Sequence, residues 1–172
     1  LEFIRKNSKE VTAIGEVGLD YKETAESAKR EKQKKALLGF VKLADELGVP
    51  IIVHSRKAEA ECIELLEKSK AKKVIMHCFS GSLKLVQRIV NNGWSLSIPT
   101  AVKRTEHFQK VIELAPIEQL FCETDSPYLH PDREFPNEPA NVVESYKKIA
   151  EIKKMKLEEA QKAIENNFKK IF

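Results

Sequence analysis

Glu16, His54, His77 and Asp125 are the residues of this chain whose types and positions best suit chemistry. Each follows a short apolar run. Val11-Thr12-Ala13-Ile14-Gly15 leads into Glu16, Pro50-Ile51-Ile52-Val53 into His54, and Val74-Ile75-Met76 into His77. Leu120-Phe121-Cys122 leads into Glu123-Thr124-Asp125. Runs this short read as strands, and unbroken apolar strands belong to parallel sheets covered on both faces. In such sheets and barrels the chemistry gathers at the carboxyl ends of the strands, so the four residues are expected to converge on one metal site. Two carboxylates and two imidazoles, with no cysteine at a strand end, suit Zn²⁺, Mn²⁺ or Mg²⁺ better than a structural zinc site. A carboxylate such as Glu16 can bridge two cations, and paired metals can activate a water and stabilise the leaving oxygen of a phosphodiester. Asp125 is the right chemical type both to bind a metal and to take a proton from that water.

The elements that must position these residues alternate along the chain. Residues 1–9 read as the tail of a helix, and Glu10 to Asp20 as a strand with its exit loop. Apolar residues at Leu37, Phe40, Val41, Ala44 and Leu47 recur at spacings of three and four. They predict an amphipathic helix from about Ser27 to Leu47, closed by Gly48 with Pro50 just beyond. Strand 50–54, a helix through about Lys68 and strand 73–77 follow. Ser82 is placed to cap a helix that Asn91, Asn92 and Gly93 end. Trp94 to Ile98 alternates and reads as another strand, stopped by Pro99, and a helix is predicted from Thr105 to Leu114. After the strand into Asp125, four prolines at 127, 131, 136 and 139 make residues 127–139 a long ordered loop. Two helices, roughly 140–154 and 157–171, complete the pattern. Strand–helix alternation with short connections implies a parallel sheet. Ligands at the ends of four of the five strands favour a (β/α) barrel over an open sheet, because the ends of a barrel face a common centre.

A length of 172 residues suits a single domain with a sizeable core. The net charge of +4 favours a polyanion only weakly. Three widely spaced cysteines exclude a disulfide framework and are expected to be reduced thiols of a cytoplasmic protein. No apolar run approaches the length of a membrane span, and the opening residues do not read as a signal peptide. Leu1 to Lys6 reads instead as a helix already under way, so the first strands of the barrel are expected upstream of this sequence. Several nearby residues have plainer readings. His107 is expected to be solvated on a surface helix, and strand alternation turns Cys78 and Cys122 away from the site as small apolar packers. Glu16 is harder to explain structurally, because a buried glutamate is costly unless paired.

At these residues the chain closely resembles the TatD family of metal-dependent hydrolases, within the amidohydrolase-like TIM barrels. The matching motifs are Ala13 to Tyr21 (AIGEVGLDY), Val53-His54-Ser55-Arg56, His77-Cys78-Phe79-Ser80-Gly81 and Glu123 to Leu129 (ETDSPYL). Asn137-Glu138-Pro139 and Asn167 to Phe172 match the family's C-terminal signatures. The resemblance implies a distorted (β/α) TIM barrel in which Glu16, His54 and His77 bind metal, with Glu16 bridging. Asp125 would be both a ligand and the catalytic carboxylate. It further implies two divalent cations and deoxyribonuclease activity of the 3′–5′ exonuclease type on single-stranded DNA. Arg56, Lys103, Arg104 and Arg133 are candidate phosphate contacts by charge and position, and His130 lies in the proline-rich loop near Asp125. The family's His-x-His pair on its first strand has no counterpart in this sequence. The loop Pro131 to Pro136 is also less basic than the family's usual segment. Two other functions compete, hydrolysis of another ester or amide and a catalytically inactive binding protein; four intact candidate ligands argue against the latter.

Overall fold

The computed structural model of the chain describes residues 1–172. Residues 1–81 with 171–172 form one compact unit and residues 82–170 a second.

In the first unit a short helix α1 (Glu2–Lys6) precedes β1 (Ile14–Asp20), α2 (Ser27–Leu47), β2 (Ile51–Arg56), α3 (Glu59–Ser69) and β3 (Val74–Met76). The strands are parallel: β1 pairs with β2 and β2 with β3. Parallel neighbours need a crossover, and α2 and α3 supply it. Leu37, Val41 and Ala44 give α2 one buried stripe, and the helix ends where Gly48 takes a left-handed conformation at φ 71°. The strands beside these helices contribute residues with no exposure at all, among them Leu19, Val53, Val74 and Met76. Burial of the Cys62 thiol within α3 pushes its pKa up to about 12, so it behaves as a small apolar side chain.

The second unit contains α4 (Leu83–Asn91), β4 (Ser95–Pro99), a 3₁₀ turn (Thr100–Lys103), α5 (Glu106–Leu114), β5 (Leu120–Glu123), α6 (Val142–Lys153) and the body of α7 (Leu157–Ile171). β4 and β5 are parallel, with Leu96 opposite Leu120 and Pro99 opposite Glu123. Asn167 of α7 is buried and donates from Nδ2 to the carbonyls of Ile117 and Leu120, at 2.7 and 2.9 Å, tying that helix to the start of β5.

β4 is the strand expected there, and it is buried along its whole length, Ser95 and Ser97 included. Ser97 Oγ donates to Glu123 Oε2 at 2.5 Å, which satisfies a hydroxyl inside the fold. Ser82 stands at the start of α4 but makes no side-chain cap; its carbonyl accepts from the N–H groups of Leu85 and Val86 instead. His107 is half-buried with its ring edge-on to Phe108, rather than solvated. Cys78 and Cys122 are half-buried and, like Cys62, form no disulfide. No helix is long and apolar enough to cross a membrane.

Candidate metal centre

The first unit brings Glu16, His54 and His77 together: one ligand atom from each lies within 4.8 Å of the others. Only His77 is placed as the sequence predicts, immediately after β3. Glu16 is the third residue of β1 and His54 the fourth of β2, because the β1–β2 ladder runs on to Asp20 and Arg56. Gly18 makes that ladder possible. It pairs with His54, and a Cβ added at Gly18 would collide with the His54 backbone carbonyl. The ladder is irregular between Ile14 and Val17, at the point where Glu16 departs from it.

Glu16 is not a buried charge, since 45% of its side chain is exposed, against 31% for His54 and 14% for His77. The cluster therefore opens to solvent on the Glu16 side. His54 Nδ1 stands 2.8 Å from Glu16 Oε1, and His77 Nε2 stands 3.7 Å from the same oxygen. The two imidazole rings lie 6.4 Å apart at 29°.

Asp20, missed as a site residue from sequence, holds the other side of His54. Its Oδ2 lies 3.1 Å from His54 Nε2. With the ring proton on Nε2 that contact is a hydrogen bond to the carboxylate, and the Nδ1 lone pair on the Glu16 side is available to a cation. The Asp20 carboxylate is itself fixed, since Oδ1 accepts from the N–H groups of Lys22 and Glu23 at 2.9 and 3.0 Å. Burial works against its charge, but those N–H groups and the His54 ring outweigh it and hold the pKa below the usual carboxylate value. The sequence signal was available: Glu16, Gly18 and Asp20 share one face of a strand of period two.

The donor set fits a divalent cation. Two imidazole nitrogens and a carboxylate oxygen within 4.8 Å of one another are ligand types that Zn²⁺ and Mn²⁺ accept. The carboxylate that fixes the far ring nitrogen is the usual outer partner of a metal-ligating histidine.

The remaining candidates are spread differently. Arg56 extends from the end of β2 with its guanidinium 3.8 Å from Glu23. The others belong to the second unit. Asp125 is half-buried, two residues past the end of β5, in a left-handed conformation at φ 56° that aspartate tolerates better than most residues. Lys103 pairs with Asp132 at 2.7 Å, and Arg104 donates to the His130 carbonyl. His130 Nδ1 accepts from the Asp132 N–H at 3.1 Å. These contacts hold the proline-rich loop against the 3₁₀ turn. Arg133, also left-handed at φ 66°, is exposed.

A family model described as TatD related DNase matches residues 1–172. The chain belongs to the TatD family. An uncharacterized metal-dependent hydrolase of Methanocaldococcus jannaschii is 40% identical over 169 residues, covering 98% of this chain and 66% of that protein. Deoxyribonuclease TATDN3 of Homo sapiens is 34% identical over 174 residues, covering all of this chain and 64% of that protein. This TatD chain thus spans slightly less than two thirds of the length of these relatives. Among solved structures, YJJV, a TatD homologue of Escherichia coli, superposes with a TM-score of 0.88 at 26% identity, over 99% of this chain and 69% of that one. The fold is the α/β, TIM-barrel type expected from the sequence, and the family is the one its motifs resemble.

Proposed function

We propose that this protein hydrolyses phosphodiester bonds of DNA, shortening single strands from the 3′ end with the help of two divalent cations, Mg²⁺, Mn²⁺ or Zn²⁺. The observation that carries the reading is the convergence of Glu16, His54 and His77, with ligand atoms within 4.8 Å of one another. The deoxyribonuclease name of the human relative supports the choice of substrate.

Glu16, His54 and His77 would hold a cation, with Asp20 keeping His54 Nδ1 turned toward it. A cation bound there supplies Lewis-acid chemistry, lowering the pKa of a water and offsetting phosphate charge. We assign Asp125 as a further ligand and as the carboxylate that accepts the attacking water's proton on a side-chain oxygen. The water oxygen bonds to phosphorus as the ester P–O bond breaks. The support for Asp125 is its motif and its place just beyond β5. Arg56, Arg104, Arg133 and His130 are proposed substrate contacts; Arg104 and Arg133 are exposed and His130 is half-buried.

The test is an end-labelled single-stranded oligonucleotide incubated with Mg²⁺ or Mn²⁺, with chelator, and with Asp125→Asn. Stepwise shortening from the 3′ end is expected, lost with chelator and reduced by at least a hundredfold in the variant. An intact oligonucleotide in the presence of folded, metal-loaded protein would overturn the nuclease reading and turn the search to other esters and amides.

A further inference from the structure

Beyond Asp125 the chain carries two large aromatic rings in the open. Tyr128 is 66% exposed and Phe135 is 74% exposed, and their ring centroids lie 6.4 Å apart with the planes splayed by 47°. A folded chain gains by burying such rings, so two of them side by side in water mark a surface with something to bind.

We propose that Tyr128 and Phe135 form a stacking site for the terminal nucleobase of a single strand. The proposal rests on the nuclease reading above and names how the strand end is held. Every base has a π-face, so a pair of rings accepts any of the four, as an enzyme that trims strands of any sequence requires. Two rings serve an end and not a long tract, in keeping with a sequence that has no run of stacking aromatics.

Three features of the loop support the assignment. The first is placement. Tyr128 N–H donates to the Asp125 carbonyl at 2.9 Å, closing a turn that keeps the two Cα atoms within about 7 Å. A base on Tyr128 is therefore next to the residue assigned to the chemistry. The second is rigidity. Buried Asn137 donates from Nδ2 to the carbonyls of Thr124 and Tyr128, at 2.8 and 2.7 Å, and from its backbone to Pro127 at 2.8 Å. Thr100 Oγ1 donates to the Leu129 carbonyl at 2.7 Å. A platform held this way loses little freedom when a base settles on it. The third is charge. Lys103 and Asp132 neutralise each other, and Glu134 lies 3.9 Å from His130 Nε2, which leaves Arg133 as the exposed cation between the two rings in sequence. Recognition here should thus depend on stacking more than on phosphate attraction.

The experiment places 2-aminopurine, a base whose fluorescence is quenched by stacking, at the 3′ end, the 5′ end or the middle of a short single strand. Binding is measured in chelator, so that no strand is cut. The expected result is quenching of one terminal probe and not of the central one. Tyr128→Leu and Phe135→Leu should each weaken binding about tenfold, the size of a single base stack. Their melting temperatures should match the parent, because both side chains are exposed. Equal quenching at all positions, or unchanged binding in both variants, overturns the stacking site. Parent protein that shortens DNA with Mn²⁺ yet shows no terminal quenching removes this inference and leaves the nuclease reading standing. Terminal quenching without any cleavage supports the stacking site and overturns the nuclease reading instead.

Discussion

His54 stands between two carboxylates that do different things. Glu16 lies 2.8 Å from its Nδ1, and Asp20 lies 3.1 Å from the opposite nitrogen. Replacing Asp20 by asparagine keeps the shape but removes the charge and the obligatory acceptor. The ring is then free to turn, or to carry its proton on the nitrogen that the cation needs. Cation affinity in Asp20→Asn should fall by about 10- to 100-fold, the usual effect of losing such an outer partner. Titration with Mn²⁺, followed by calorimetry or electron paramagnetic resonance, measures it directly. An affinity equal to the parent's would show that Asp20 only closes the β1 exit turn through Lys22 and Glu23.

Between elements, the contact most open to test joins the end of β1, α2 and α3. Tyr21 Oη donates to Glu61 Oε2 at 2.7 Å, Lys34 pairs with the same carboxylate, and Arg30 lies over the Tyr21 ring at 4.2 Å. The Lys34 ammonium, and then the Tyr21 hydroxyl, hold the Glu61 pKa below its ordinary 4.5. A carboxylate with a depressed folded pKa stabilises the fold above its unfolded value and loses that contribution as pH falls through the folded one. Glu61→Gln should therefore melt lower than the parent at pH 7 and converge with it in acid, below pH 4.5. The Glu61 side chain is 39% exposed, so the gap at neutral pH should be small, about 1–2 °C. A gap that persisted unchanged into acid would assign the effect to helix packing and not to the ion pair.

What was legible in the sequence at this scale was local. The α2 stripe and its Gly48 terminus follow from periodicity and backbone freedom, and both ends of that helix match. The positions of Glu16 and His54 within their strands were not legible. They depend on a ladder that continues only because Gly18 lets two backbones approach, and the partner of that approach is thirty-six residues away. The burial of Ser97 was hidden for the same reason, since its acceptor Glu123 lies on the next strand. Asn137 reads as one polar residue in a proline-rich loop; its three acceptors at Thr100, Thr124 and Tyr128 emerge only once the chain is folded.

For the molecule as a whole, a cation at the cluster would tie the proposed activity to stability. Its three ligand atoms come from β1, β2 and the residue after β3, so a cation bound there would clamp three parallel strands of residues 1–81. Unfolding separates Glu16, His54 and His77 along the chain, and the cation then loses its site. Mass action converts that difference into about 2.7 kcal/mol at a cation concentration one hundred times the dissociation constant. For a chain of this size the melting temperature should rise by roughly 5–10 °C with Mn²⁺ or Zn²⁺ and fall back with chelator. His77→Ala should abolish the rise, and hydrogen exchange should show the added protection concentrated in β1, β2 and β3. Protection gained instead across residues 82–170 alone would place the cation away from Glu16, His54 and His77. Because this readout requires no turnover, it tests the metal centre separately from the identity of the substrate.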